Sequence, residues 1–301
     1  MPGGVPLSRL GIAALTAVTL VAFAANSLLC RMALAPALID PVAFTVIRLA
    51  SGVAILVPLS VLLAKPDPDE PPAGSWRSSV ALFVYAMAFS LAYVSLETGT
   101  GALILFGAVQ LTMIGVGLWK GERPKLQEWL GLVVAMAGLV YLVFPGIAAP
   151  DPLGASLMIA SGVAWGVYSL RGKQSRAPVA ATAGNFVRTL PFALGGLLIS
   201  WPTLRTTPRG VLLAVISGAI TSGLGYVIWY FALRGLTATR AAIVQLAVPL
   251  IAAAGGIVAL SEEPTARLAV ASLLILGGVA AAILARDRPG DLRTCEEPTS
   301  R

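Results

Sequence analysis

The chain has no histidine, only two cysteines among its 301 residues, and few charges, with 12% of residues being Asp, Glu, Lys or Arg. Each shortage excludes something. Without histidine, the usual transition-metal ligand and the usual neutral-pH proton carrier are missing. Cys30 and Cys295 fall on opposite sides of the topology drawn below, so no disulfide within one chain is expected. A soluble domain carries about 25% charged residues, whereas this chain has a mean hydropathy of +0.86, so it cannot be one. The 14 acidic residues place no pair inside an apolar stretch, which leaves a membrane hydrolase built on paired carboxylates or a metal nothing to work with. A phosphate-binding loop is missing too. The run from Gly166 to Gly172-Lys173-Gln174 has the wrong spacing and no hydroxyl for a metal, and Gly99-x-Gly101 is followed by Ile104 where a dinucleotide loop needs a third glycine. No enzymatic activity, cofactor or metal is expected.

Long apolar blocks fill the chain instead. A span needs about 20 predominantly apolar residues to cross the hydrocarbon core. Ten such blocks are read: Leu10–Cys30, Val42–Leu63, Ser78–Leu96, Ala102–Trp119, Glu128–Phe144, Leu153–Leu170, Val179–Ser200, Val211–Phe231, Ala241–Leu260 and Leu268–Ala285. The loops between them are short and rich in Pro, Gly and Asp, as at 65–72 and 145–152, which leaves no room for an extramembrane domain.

The basic residues set the orientation. With the N-terminus inside, 15 of the 21 Lys and Arg fall on inner loops, 4 on outer loops, and Arg48 and Arg188 within spans. This asymmetry predicts both termini on the cytoplasmic side of an inner (plasma) membrane. The net charge of +7 therefore reflects topology. The cations are thinly spread, with no base-stacking aromatics among them, so nucleic acid is not an expected partner. Arg9, an apolar run and Ala22-Phe23-Ala24 have the look of a cleavable leader. Cleavage would delete a helix that the second half retains, so the first span is expected to stay.

The chain also matches its own second half. Gly121-Glu122-Arg123-Pro124 follows one apolar run and Ser261-Glu262-Glu263-Pro264 another, so that Glu122 falls opposite Glu262. In the same register, Arg48 pairs with Arg188, Ala102-Leu103 with Ala242-Ile243, and Gly138 with Gly278. Phe23 to Arg31 aligns with Trp165 to Lys173 after a small change in loop length. Five spans per half is an odd number, so the halves are inverted relative to each other. Repeats of this kind build many secondary transporters, with the substrate site at their interface. The expected fold is an all-α integral membrane protein of ten transmembrane helices in two inverted five-helix repeats, 1–146 and 147–288, with a disordered cytoplasmic tail at 289–301.

Two five-span halves, each with an arginine early in its second span and a Gly-Glu-Arg-Pro-like turn after its fourth, resemble the drug/metabolite transporter superfamily, and within it the EamA-type branch. The run from Tyr230 through Arg234 and Arg240, then Pro249 and Glu262, fits that pattern. The first half departs from it, with Glu97-Thr-Gly-Thr-Gly at the corresponding turn and Val109 where the second half has Pro249. The resemblance implies export of small metabolites by alternating access without ATP. Aromatic amino-acid exporters of the superfamily supply the analogy for amino acids or their analogues. Drugs or nucleosides are the alternative, and a non-transporting scaffold is the reading from another class.

The residues expected to matter are few. Arg48 and Arg188 cost about 2.5–3.5 kcal/mol each within a span on the lenient scale, so each should have a partner. They read either as a gate or carboxylate clamp or as structural ties. Glu97 reads either as a proton-exchanging group or as a solvated loop carboxylate. Glu122 and Glu262 read as helix-end caps. Asn26, Tyr93, Gln110, Trp165, Tyr168, Asn185, Tyr226 and Gln245 form the expected substrate cavity, because aromatic walls with a few polar groups suit a small molecule. Trp229 and Tyr230 divide between that cavity and the interfacial aromatic belt, and Trp119 and Trp129 belong to the belt. Pro191 and Pro249 read as hinges or as static kinks. Protons stay open as a coupling ion, since no acidic residue lies deep in a span. Oligomeric state is not legible.

Overall fold

The computed structural model describes residues 9–63, 74–119, 121, 126–146, 149–172, 177–233, 236 and 244–286. Glu122-Arg123-Pro124, Lys173, Arg234, Arg240, Ala242-Ile243, Cys295 and the tail 289–301 lie outside them. The described residues form ten long helices: α1 (Arg9–Leu34), α2 (Pro41–Leu63), α3 (Trp76–Ala92), α4 (Thr98–Trp119), α5 (Leu126–Val143), α6 (Pro152–Gly172), α7 (Pro178–Ser200), α8, α9 (Ala247–Leu260) and α10 (Ala266–Arg286). Helix α8 is one rod of three pieces, Pro208–Ile216, a π-helical stretch Ser217–Leu224, and Gly225–Leu233. The only β pairing among the described residues is an isolated bridge between Ile39 and Thr206.

The helices start where the loop chemistry says they should. Asp40 accepts the Val42 amide at 2.8 Å, Ser75 the Ser78 amide at 3.2 Å, Thr207 the Gly210 amide at 3.1 Å, and Thr265 the Leu268 amide at 3.1 Å. Proline opens α2, α7 and α8, where its missing N–H costs nothing. A helix satisfies its backbone internally, which is what hydrocarbon demands. Five described helices are long and apolar enough to cross a membrane by length and composition, and four shorter apolar ones pack among them. Large apolar side chains face outward all round, among them Leu62, Ile199, Val258 and Leu273, each more than three-quarters exposed.

The packing is reciprocal between the halves. Helix α3 lies on α6 as α8 lies on α1; α4 lies on α6 as α9 lies on α1; α3 meets α7 as α8 meets α2. The pairs α2–α7, α4–α9 and α5–α10 join each helix to its own repeat mate. This is the inverted arrangement that the match between the halves predicts.

Three spans differ from expectation. The third ends at Ala92, with a turn through Leu96, so Glu97 immediately precedes α4 and does not end α3. The ninth helix begins at Ala247, after a turn at Leu246, which puts Pro249 in its first turn and not near its middle. Proline lacks an N–H and clashes with the carbonyl four residues back, so the helix restarts just before it. The π-helical stretch of α8 has no counterpart in the apolar pattern.

Candidate functional site

An internal cavity lies where α1, α3, α4, α6 and α8 converge. Phe23, Tyr85, Phe89, Trp165 and Tyr226 form its aromatic wall, and Asn26 and Thr221 its polar side. It has room for little more than a water molecule. Trp165 stands at the centre of the wall, with ring centroids 4.7 Å from Tyr85, 5.1 Å from Tyr226 and 5.5 Å from Tyr168. Phe23 meets Tyr226 edge-on at 5.9 Å.

Asn26 is the polar hub. Its carbonyl oxygen accepts from the hydroxyls of Ser217 at 2.7 Å and Thr221 at 3.2 Å, and its Nδ2 donates to the Tyr85 hydroxyl at 3.4 Å. Both hydroxyl donors come from the π-helical stretch, a geometry that recurs at functional sites. Arg48, only 2% exposed, stands beside this hub. Its Nε donates to Ser222 at 3.2 Å and its Nη2 to the Tyr85 hydroxyl at 3.0 Å, while its Nη1 has no protein partner. The guanidinium carbon lies 5.1 Å from the Phe89 ring centroid and 5.3 Å from that of Tyr85. Arg48 thus neither reaches headgroups nor ties a helix end. Arg188, its repeat mate, is half-buried, and its Nη1 donates to the Gly184 carbonyl of its own helix at 3.0 Å.

Hydrogen bonds tie helix ends together on both sides of the cavity. At one end, Glu262 accepts the Thr98 amide at 2.9 Å through each carboxylate oxygen and the Thr98 hydroxyl at 2.9 Å through Oε1. It therefore caps the start of α4, and not the end of α9 that it follows. Gly256 makes room for it, since a Cβ there would meet the Glu262 carboxylate. Arg31 lies 3.6 Å from the same carboxylate and donates to the carbonyls of Tyr93 at 3.1 Å and Val94 at 2.9 Å, which draws in the end of α3. Glu97 is half-buried here. Burial, then the charge of Glu262, raise its pKa above the ordinary 4.5, with Arg31 acting the other way. At the opposite end, Asn185 accepts the Ser75 amide at 2.8 Å, Arg171 donates to Ser78 at 3.0 Å, and the hydroxyls of Thr182 and Tyr230 lie 3.3 Å apart.

The expected cavity residues are thus divided. Asn26, Trp165 and Tyr226 line the cavity, and Tyr168 backs Trp165. Tyr93 packs edge-on against Phe89 and donates to the Thr98 carbonyl at 3.3 Å, while Asn185 holds the start of α3. Gln110 is buried on α4, and Gln245 is half-buried ahead of α9. Trp229 is 9% exposed against Phe23, which removes it from the belt, whereas Trp119 at 87% and Trp129 at 44% face outward. Pro191 lies exposed on α7.

Several residues of the site are absent from the sequence-based expectation of a cavity, among them Phe23, Tyr85, Phe89, Ser217, Thr221 and Ser222. One signal points to Tyr85, which falls within one position of Tyr226 when the halves are aligned as Arg48 is with Arg188. The three hydroxyls of α8 carry no such mark.

The comparisons with known proteins agree with this fold. The model of the EamA-like transporter family matches residues 152–284. Uncharacterized protein PA1977 of Pseudomonas aeruginosa is 50% identical over 88% of this chain and 92% of its own. An uncharacterized transporter of Archaeoglobus fulgidus is 28% identical over 72% and 78%, and the aromatic amino acid exporter YddG of Ancylobacter novellus 25% identical over 88% and 96%. A solved structure titled "Crystal structure of protein" shares the fold, with a TM-score of 0.65 at 20% identity over 93% of this chain and all of its own. The chain belongs to the EamA-like transporter family. It is a multi-pass membrane transporter.

Proposed function

We propose that the protein is a secondary transporter of the inner (plasma) membrane that exports small amphipathic metabolites, amino acids or their analogues first among them, by alternating access without ATP. Both termini are cytoplasmic in this reading, which puts the Glu262 end outside. The observation that carries it is the aromatic cavity, built by helices of both halves that are tied to one another at both ends. Such a cavity gives a flat apolar body several rings to stack on and a few polar groups to orient it. A pocket with room for little more than a water molecule has to widen for any substrate, and two inverted halves can open it to either side in turn. Likeness to an aromatic amino acid exporter along most of both chains favours amino acids over the drug or nucleoside alternative. Small-molecule substrate and lipid bilayer are the partners of this scheme, with protons or simple downhill diffusion as the drive.

The test is flux from proteoliposomes loaded with amino acids, nucleosides and sugars, read by mass spectrometry with and without a pH gradient. Selective loss of amino acids, reduced by Trp165→Ala or Tyr226→Ala, supports the reading. Selective loss of nucleosides moves it to the alternative. Dependence on the gradient assigns proton coupling. No flux of any pool member from protein shown to be folded and inserted counts against transport of these classes and for a scaffold.

A further inference from the structure

The guanidinium of Arg48 is a poorly balanced buried charge. It is 2% exposed, and the groups that hold it are neutral: the hydroxyls of Ser222 and Tyr85 and the faces of Tyr85 and Phe89. No Asp or Glu bonds to it or pairs with it among the described residues, and Nη1 has no protein partner. A buried charge without a counterion, carrying an unpaired donor, is costly, and an anion that reaches it relieves part of that cost. The hydroxyl of Tyr85 accepts from Arg48 Nη2 and from Asn26 Nδ2 at once. Two donors converging on one oxygen form the pattern that a carboxylate oxygen fills better, and a guanidinium offers a carboxylate a two-pronged fork.

We propose that Arg48 is the carboxylate anchor of the central cavity, and that the site selects organic carboxylates with a flat apolar body and does not read an α-ammonium. This rests on the transporter reading above. Arg48 stands one side chain behind the cavity wall, with Tyr85 and Phe89 between. When the cavity widens, the substrate carboxylate displaces the Tyr85 hydroxyl. It takes Nη2 and the unpaired Nη1 of Arg48, and Asn26 Nδ2 donates to the same group. The apolar body stacks on Trp165 and Tyr226. No acidic side chain lines the cavity among the described residues, so an ammonium finds ring faces and the neutral oxygens of Asn26, Ser27 and Thr221, which reward it less than a charged partner rewards a carboxylate. A deaminated acid therefore serves as well as the amino acid.

The experiment measures direct binding of four probes to the full-length protein in detergent, by isothermal titration and by thermal shift: L-phenylalanine, 3-phenylpropanoate without the amine, and L-phenylalaninamide and phenethylamine without the carboxylate. The two carboxylates are expected to bind within about threefold of each other, and the two carboxylate-free probes about tenfold or more weaker. Tyr85→Phe, which removes the neutral competitor for Arg48, raises the affinity for 3-phenylpropanoate; a loss of affinity overturns the displacement step. Arg48→Gln abolishes the preference for carboxylates and Arg48→Lys keeps part of it. If Arg48→Gln does not fold, the probe series on the unaltered protein still decides. Equal binding of phenethylamine and 3-phenylpropanoate overturns the anchor. Flux of an uncharged or cationic pool member with no carboxylate binding also overturns it while sparing the transporter reading. Absence of both flux and binding sinks the two together.

Discussion

Glu262 and Thr98, far apart in the chain, are joined by three hydrogen bonds of 2.9 Å, so the acidic residue that follows α9 caps the start of α4. The N-terminal amides of a helix carry partial positive charge, which makes a carboxylate the best cap. Bonds to a charged group contribute about 1.5–3 kcal/mol each before they compete with one another. Glu262→Gln is expected to lower the melting temperature in detergent, and Thr98→Val to lower it as well. Because Thr98→Val removes one of the three bonds that Glu262→Gln weakens, the double variant should lose less than the two single losses added. Additive losses would show that the contact is not shared.

Glu97 sits beside that cap with its pKa raised, chiefly by burial and next by Glu262; Glu263 adds to the rise and Arg31 opposes it. A carboxyl whose folded pKa exceeds its unfolded one favours folding while protonated. That contribution is present below the ordinary carboxylate range and is lost as pH rises through the folded value. Glu97→Gln should therefore melt above the unaltered protein at neutral pH, with the difference closing as pH falls through the raised value toward about 4.5. Melting curves across this range check it, and a gap that widens toward acid pH would contradict the assignment.

Gly218 lets α8 touch α2. A Cβ there would meet the Arg48 carbonyl and the Ser51 hydroxyl, and the carbonyl belongs to the backbone, which cannot yield cheaply. Gly218→Ala is expected to destabilise by about 1–3 kcal/mol or to separate the two helices. Gly195 on α7 has nothing within 4 Å of such a Cβ. Gly195→Ala should be neutral or stabilise by up to about 1 kcal/mol through helix propensity. Parallel unfolding of the two variants reads the contrast.

Asn26 gathers Ser217, Thr221 and Tyr85 in one buried network. Asn26→Leu keeps the volume and leaves those hydroxyls without their shared partner, at a cost of about 1–3 kcal/mol. The loss should appear both as a lower melting temperature and as reduced flux. Full flux from Asn26→Leu would remove the hub from the site.

Much of the fold was legible because it depends on local properties. Apolar runs of span length, short Pro- and Gly-rich loops, and the pairing of Arg48 with Arg188 and Gly138 with Gly278 can be read without knowing what touches what. The site was legible only in part. Asn26, Trp165 and Tyr226 stood out as polar or aromatic residues at intermediate depth, and they do line the cavity. Tyr93 and Asn185 stood out in the same way, yet their polar groups serve backbone atoms of neighbouring segments. In an almost uniformly apolar helix, no periodicity says which face turns inward, so Tyr85 could not be told from a lipid-facing tyrosine.

The sequence by itself determined the class of protein and its long apolar helices, because hydrocarbon imposes those through composition and length alone. Only the tertiary structure decided that Arg48 of α2 meets Ser222 of α8, that Glu262 caps α4, and that a π-helical stretch turns Ser217 and Thr221 onto Asn26. Partners so far apart are chosen by how whole helices pack, and helix packing is a property of surfaces that the linear order of residues does not display.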